Sequence, residues 1–257
     1  MENSSGSPIL HDSPIVYAAD SFPARRSVLV ALGLAGIVLL CVAAVLGAIV
    51  IVLISAHLDR TAIAQHAIAL TVVLQAVIDA GVVVYLVLAL PALAKTTLAG
   101  LGFTRPNGTQ IAVALGGAVL MILIVNGTGA LIAFLLHNKH EQAAIQLFLA
   151  EKNPVVKAAF AALAIIVAPI AEEMTFRVFI FNAVRKHGSF WIAAAVSGVC
   201  FGLAHMDPYA LVPLIFGGAI LCGVYAYSKN AYMSMITHAL FNAVSVIGLY
   251  AVPNLVK

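Results

Sequence analysis

The sequence predicts an all-α protein, a polytopic transmembrane helical bundle of about seven spans. Of its 257 residues, 63% are hydrophobic and only 9% are charged, and the apolar runs reach the roughly 20 residues that a helix needs to cross a bilayer. A soluble core could not bury that much apolar surface. The net charge of +3 forms no basic patch, which argues against nucleic acid as a partner.

The chain divides into a polar tail, residues 1–26, and one transmembrane domain, residues 27–257. The tail is rich in Ser, Pro and Asp and is expected to be disordered. The apolar runs predict a first span at 27–56, and the further spans follow it. These lie at about 66–94, 110–136 and 155–184, then a short fifth and a sixth within 190–228, and a seventh at 231–252. The polar motifs fall in the core 155–252.

Basic residues favour the cytoplasmic side of a membrane, and here they gather on alternate connections between spans. The pattern predicts a cytoplasmic N-terminus in an integral protein of a bacterial inner membrane. An amphipathic segment between the third and fourth spans, EQAAIQLFLAEKN, is expected to lie on the membrane surface. The basic residues are Arg25 and Arg26, Lys95 and Arg105, Arg185 and Lys186, and Lys229.

Three charged residues, Glu172, Glu173 and Arg177, lie inside the apolar run AIIVAPIAEEMTFRVFIFNAV. Each would cost roughly 2.5 to 3.5 kcal/mol at the centre of a membrane helix. Glu173 and Arg177 are four residues apart, so they share a helix face and can form an ion pair. Glu172 lies about 100 degrees around the helix and is not neutralised by that pair, which makes it the candidate general base.

Further polar groups follow in the later spans: His205, His238 and Asn242. The spacing of four places His238 and Asn242 on one helix face. His205 reaches the same depth if the turn after it dips into the bundle, which would bury Asp207 and Pro208. One carboxylate and two imidazoles can position a water for attack on a carbonyl, with or without a metal ion. The remaining donors can stabilise an oxyanion.

The motifs EEMTFR (172–177), FGLAH (201–205) and HALFN (238–242) stand in order on successive apolar spans. Together they resemble the CAAX-protease and bacteriocin-processing (CPBP, or Abi) family of intramembrane proteases. The resemblance covers about 155–250, and the segment LGFTRP (101–106) fits the family loosely. It implies a catalytic core in the last four spans and a glutamate-dependent endopeptidase whose site opens within the membrane.

Carried over position by position, the resemblance implies that Glu172 and His205 hold and activate the water, and that His238 and Asn242 bind the developing oxyanion. The neighbouring Glu–Arg ion pair would support them. A divalent metal such as zinc, held by Glu172, His205 and His238, is left open as a cofactor. The implied partners are a peptide or membrane-protein substrate and membrane lipid, and an unprenylated substrate is favoured over a prenylated one. The oligomeric state stays open.

Two other function classes compete with the protease. A non-catalytic membrane binding or immunity protein would use the same cavity to hold a peptide. A transporter would also bury charges, but it predicts related halves with broken helices, and the sequence shows no such symmetry. Asp79, in the second span, is not explained by the family motifs, and structural pairing is favoured over a position facing the cavity.

Overall fold

The computed structural model of the protein describes residues 60–137 and 143–251, together with Gly36 and Gly47. No β-strand occurs among these residues, so the predicted all-α fold is confirmed. We number the helices in chain order. They are α1 Arg60–Ala94, α2 Gly108–Leu135, α3 Ala143–Ala150, α4 Pro154–Arg185, α5 Phe190–Ala204, α6 Leu211–Ser228 and α7 Ala231–Ala251.

Five of these helices, α1, α2, α4, α6 and α7, are long and apolar enough to cross a membrane, whereas α5 is apolar but shorter, with 15 residues. Large apolar side chains such as Leu88, Phe134 and Trp191 are exposed on the outside, as a lipid-facing surface requires. The chain is therefore an integral membrane protein. Apart from Gly36 and Gly47, the predicted first span, 27–56, and the tail, 1–26, lie outside the described residues.

The hydrogen-bond register of α4 changes twice along its length. The segments Leu163–Val167 and Met174–Phe181 are π-helical, and the α-helical stretch Ala168–Glu173 lies between them. Such π segments are rare and are often found at functional sites. Both adjacent carboxylates of the sequence motif therefore lie at the end of a short α-helical stretch that joins two π segments.

A proline explains why the first π segment needs help from outside the helix. The N–H of Ala168 donates to the carbonyl of Leu163, five residues earlier. In that register the next donor would be Pro169, which has no N–H. The carbonyl of Ala164 instead accepts a hydrogen bond of 2.8 Å from the side chain of Asn242. The irregular backbone of α4 is thus completed by α7.

Helix α4 is packed against α1, α5, α6 and α7. Small residues let α5 and α6 approach each other closely, as is common for helix pairs in membranes. A Cβ added to Gly218 on α6 would lie 2.7 Å from the Cα of Gly198 on α5, and one added to Gly198 would lie 2.7 Å from the carbonyl oxygen of Ile215. This approach sets the backbone of α6 beside the polar residues of α4.

The segment before α2 is tied to the later helices through its backbone. The hydroxyl of Tyr225 donates to the carbonyl of Leu101 at 3.0 Å and accepts from Asn182 Nδ2 at 2.8 Å. The N–H of Ala231 donates to the carbonyl of Gly102 at 2.8 Å. Gly102 has a φ of +94°, a left-handed conformation that glycine adopts without steric cost. The region that fits the family loosely in sequence is therefore fixed to α4, α6 and α7.

The amphipathic segment between the third and fourth spans forms α3, and one side of it is attached to the bundle. Phe148 is buried, with its ring centroid 5.7 Å from that of Phe160 and 5.1 Å from that of Tyr250. The Nζ of Lys157 lies 4.8 Å from the centroid of the Phe148 ring. A cation at this distance over an aromatic ring is attracted to its face.

Candidate active site

The predicted ion pair on α4 is present and completely buried. Glu173 Oε1 lies 3.0 Å from Arg177 Nη1, and neither side chain is exposed. Removing two charges from water is costly, so a buried pair needs further partners. Arg177 has two: its Nη2 donates to the carbonyl of Gly218 at 3.3 Å, and its guanidinium carbon lies 4.5 Å from the centroid of the Phe201 ring. The close approach of α5 and α6 supplies both.

His238 on α7 lies between the two adjacent carboxylates of α4. Its Nδ1 is 3.0 Å from Glu173 Oε1, and its Nε2 is 3.7 Å from Glu172 Oε2. Because the carboxylate of Glu173 can only accept, the Nδ1 of His238 carries the hydrogen of this bond. The same carboxylate thus neutralises an arginine and orients an imidazole. His238 is 3% exposed, so its ring lies at the buried end of the polar cluster that Glu172, Glu173, Arg177 and His238 form.

Glu172 and Glu173 differ in accessibility although they are adjacent in the chain. The side chain of Glu172 is 27% exposed, whereas that of Glu173 is fully buried. A group that takes a proton from a water molecule must be accessible to that water, and Glu172 meets this requirement. The structure therefore separates a carboxylate that holds the cluster together from one that faces outwards beside His238.

His205, at the end of α5, is connected to the cluster through Phe201. The Phe201 ring is buried, and its centroid is 4.8 Å from the His205 ring and 5.6 Å from the His238 ring. His205 Nδ1 lies 2.8 Å from the carbonyl oxygen of Phe201. Since a carbonyl only accepts, Nδ1 is the donor, and in the neutral ring Nε2 keeps its lone pair for a water molecule. Phe201 is thus a core residue, and its ring also separates the two histidines.

The turn after His205 differs from its prediction. Pro208 is exposed rather than buried in the bundle, and Met206 is 90% exposed with a φ of +50°. Asp207 is partly buried, and its Oδ1 accepts from the backbone N–H groups of Tyr209 at 2.9 Å and Ala210 at 3.2 Å. The carboxylate therefore stabilises the turn that leads into α6. Helix α5 has only 15 residues, so the turn after it lies at the outer end of the hairpin that α5 and α6 form. His205, at the end of α5, still contacts the ring of Phe201.

Asn242 lies one turn beyond His238 on α7, as the spacing predicted. Its Nδ2 donates to the carbonyl of Ala164. A side-chain amide has two N–H donors, so the second remains for another acceptor. The described residues place Asn242 beside the cluster but bonded to the backbone of α4, a contact that the sequence analysis missed. The proline at 169 was the available signal for it.

Asp79 on α1 is buried on the side that faces α4. Its Oδ1 accepts from Gln75 Nε2 on the same helix at 2.8 Å, and Oδ2 has no hydrogen-bond partner among the described residues. Glu172 belongs to the stretch Ala168–Glu173 of α4, which α1 contacts. The sequence favoured pairing of Asp79 with another span. The hydrogen-bond partner that the structure shows is instead Gln75, on the same helix.

The predicted zinc ligands do not form a metal site in this arrangement. Among the residues that the structure describes, no three His, Cys, Asp or Glu side chains are placed to hold a metal ion. Both ring nitrogens of His238 face carboxylates, and the Nδ1 of His205 is bonded to a backbone carbonyl. Zinc stays a prediction from the sequence, and the geometry supplies no set of ligands for it.

Comparison with known proteins identifies the part of the chain that contains this cluster. Residues 154–244 match the family model described as type II CAAX prenyl endopeptidase Rce1-like. The range extends from the start of α4 into α7, and it contains all the predicted site residues. No solved structure matches the chain significantly.

Two curated bacterial proteins are similar to part of this chain. The chain is 34% identical over 82 residues to "Putative membrane peptidase YdiL" of Bacillus subtilis (strain 168). It is 35% identical over 99 residues to "Membrane-embedded CAAX protease MroQ" of Staphylococcus aureus (strain USA300). The aligned residues make up 32% and 36% of this chain, and they span 34% and 40% of the length of the two relatives. Residues 154–244 of the chain are therefore similar to the type II CAAX prenyl endopeptidase Rce1-like family, in agreement with the resemblance that the sequence motifs carry.

Proposed function

We propose that the protein is an intramembrane endopeptidase that hydrolyses peptide bonds of substrates presented from the membrane, with Glu172 as its general base. The observation that carries the proposal is the position of His238, which lies between the buried Glu173 and the partly exposed Glu172. The matching family model describes an endopeptidase, and the two similar bacterial proteins are named as a membrane peptidase and a membrane-embedded protease, which supports the same reaction class.

The first step is attack by water. In the proposal, a water molecule is held between Glu172 and the Nε2 of His205, and Glu172 takes its proton as the water oxygen bonds to the carbonyl carbon. The C–N bond then breaks, and Glu172 returns the proton to the leaving amine. The products are a carboxylic acid and an amine, so no group other than water is consumed. A base that gains and then gives the same proton must be accessible, as Glu172 is.

The second requirement is a set of donors for the oxyanion that forms during attack. We assign this role to the Nε2 of His238 and to the free N–H of Asn242. For His238 to donate from Nε2 while Nδ1 donates to Glu173, the ring must be protonated. The buried carboxylate of Glu173 stabilises that form, as a carboxylate does when it orients a histidine in other active sites. With His238 protonated, the charges of Glu172, Glu173, Arg177 and His238 sum to zero.

The substrate class follows from the setting of the site. The described helices present apolar side chains outwards, so a peptide or membrane-protein segment could approach from the lipid. The protein is proposed to act in a bacterial inner membrane with its N-terminus in the cytoplasm. We favour an unprenylated substrate, and the test below includes a prenylated one.

The test compares the purified wild type with Glu172→Gln, both in lipid nanodiscs. The probes are two quenched fluorescent peptides that end in Cys-aliphatic-aliphatic-X, one farnesylated and one not, and a quenched library of apolar peptides. We expect cleavage by the wild type and none by Glu172→Gln, because the other carboxylates that the structure describes near the site, those of Glu173 and Asp79, are buried. Glu151→Gln is the matched control, since Glu151 lies between α3 and α4, where its Oε1 accepts from the N–H of Asn153. It should cleave like the wild type.

A second experiment finds the natural substrate. Membrane proteins from cells that carry the wild type, a deletion or Glu172→Ala are compared by mass spectrometry of newly formed chain ends. We expect the deletion and Glu172→Ala to lack the same set of cut peptides. If Glu172→Ala instead restores the cellular function of the wild type, the protein acts as a non-catalytic binding or immunity protein.

A further inference from the structure

We propose that Asp79 is a positioning residue of this site, which fixes the carboxylate of Glu172 from the neighbouring helix α1. The inference rests on the proposed role of Glu172 as base. It adds a residue that lies outside the segment 154–244 matched by the family model.

Asp79 lies on the face of α1 that is packed against α4. The buried residues of this helix are spaced by seven or four positions and so form one stripe. The stripe faces α4, which α1 contacts along the first π segment, the stretch Ala168–Glu173 and the second π segment. A polar side chain in the middle of this stripe is directed towards the helix that carries Glu172. The stripe consists of Val72, Asp79, Leu86, Leu90 and Ala94.

Among the described residues, Asp79 has an incomplete set of hydrogen-bond partners. Gln75 satisfies Oδ1, but Oδ2 is buried and has no hydrogen-bond partner among the described residues. Burying an unsatisfied polar atom costs about 1 to 3 kcal/mol, so such an atom in a functional protein calls for an explanation. Glu172 lies on the stretch Ala168–Glu173 of α4, which α1 contacts. A hydrogen bond from a protonated Oδ2 of Asp79 to the carboxylate of Glu172, or one water that donates to both carboxylates, would satisfy Oδ2 and would also hold Glu172 in place.

Glu172 needs such a partner. Among the described residues it forms no ion pair with arginine, unlike Glu173, and its contact to His238 is 3.7 Å long. A catalytic carboxylate must be held in a productive geometry by its surroundings. Among the described residues, Asp79 approaches it from a different side than His238, because the two lie on α1 and α7. Asp79 and His238 together would define the direction of the carboxylate.

Two substitutions separate positioning from simple packing. Asp79→Leu removes every hydrogen bond, and we expect kcat to fall roughly 10- to 100-fold with KM unchanged. Asp79→Asn has the same shape, keeps an Oδ1 for Gln75 and offers an Nδ2 donor towards Glu172, so it should retain most of the activity. Tyr85→Phe is the matched control on α1. It removes a hydroxyl that, like Oδ2 of Asp79, is buried without a described hydrogen-bond partner, and it should leave kcat unchanged. A wild-type kcat in Asp79→Leu, or an equal loss in Asp79→Asn, would overturn the proposal.

A measurement without substrate tests the placement separately. The unfolding midpoints of Asp79→Leu, Glu172→Gln and the double variant are compared with that of the wild type in one detergent. Side chains that interact give shifts that do not add, and we expect the shift of the double variant to differ from the sum of the single shifts. Additive shifts would refute the placement of Asp79 even if the protein is a peptidase. Non-additive shifts in a protein that cleaves none of the probes would refute the proposed function and leave the contact standing.

Discussion

Asn242 on α7 donates a hydrogen bond from Nδ2 to the carbonyl of Ala164 on α4, at 2.8 Å. The amide thereby supplies the hydrogen that Pro169 lacks in the π register. The same amide has a second N–H, which the proposed mechanism directs at the oxyanion. One side chain therefore joins two helices and takes part in the reaction, and its removal should affect both properties.

Asn242→Ala should lower kcat by roughly 100- to 1,000-fold, the usual effect of losing one oxyanion donor. It should also lower the free energy of unfolding by about 1 to 3 kcal/mol, because the carbonyl of Ala164 loses its partner. Kinetics with a cleaved probe peptide and thermal unfolding in detergent measure the two effects. Ser245→Ala is the control, since the hydrogen bond that the structure describes for Ser245 is to the carbonyl of Phe241 in its own helix. Normal turnover in Asn242→Ala would remove it from the proposed mechanism.

Arg177→Ala should destabilise the protein by about 3 to 5 kcal/mol, because it removes the arginine that neutralises the buried carboxylate of Glu173 and leaves His238 as its remaining described partner. The double variant Glu173→Gln with Arg177→Met removes both charges and should recover much of that loss. It should remain inactive, since His238 loses the carboxylate that orients it. Thermal unfolding and yield in the membrane are the measurements. A double variant less stable than either single variant would contradict the ion pair described here.

Gly218→Ala should destabilise the protein by about 1 to 3 kcal/mol and reduce activity, because the new methyl group would lie 2.7 Å from the Cα of Gly198. Separating α5 from α6 also moves the carbonyl of Gly218 away from Arg177. Gly223→Ala, on the same helix, meets no atom within 4 Å and should be neutral or stabilising by roughly 0.5 to 1 kcal/mol. Unfolding midpoints of the two variants check the contrast, and equal midpoints would show that the helices do not depend on this approach.

Tyr225→Phe should lower the free energy of unfolding by about 1 to 3 kcal/mol, since Asn182 and the carbonyl of Leu101 both lose the hydroxyl that connects them. Tyr227→Phe makes the same chemical change on an exposed residue of α6 and should have little effect. Thermal unfolding again gives the values. If the two variants are equally stable, the link between α6 and the segment before α2 contributes nothing to folding.

The helices and the ion pair were predictable from local pattern. Apolar runs located α1, α2, α4, α5, α6 and α7 because lipid requires continuous apolar helices, and a spacing of four was enough to pair Glu173 with Arg177. The contact between His238 and Glu173 joins residues 65 positions apart. The resemblance to a family placed both residues at one site, but it gave His238 a role only at the oxyanion.

Other features depend on the backbone itself and could not be derived from spacing. A π register changes the direction of every side chain after it, so the helical period that placed Glu172 does not hold into Met174–Phe181. The exposure of Pro208 follows from the length of α5 and from the turn that Asp207 stabilises. The burial of Asp79 against α4 depends on which helices are neighbours, and no local pattern contains that information.

The bonds from Tyr225 to Leu101 and from Ala231 to Gly102 limit how the segment 154–244 can be engineered. The family model matches this segment, but the backbone carbonyls to which Tyr225 and Ala231 donate belong to a segment that precedes it. Transplanting 154–244 into another scaffold would carry over the reactive groups and leave behind the acceptors on which Tyr225 and Ala231 depend. A chimaera should therefore exchange the segment LGFTRP (101–106) together with α6 and α7, as a single unit.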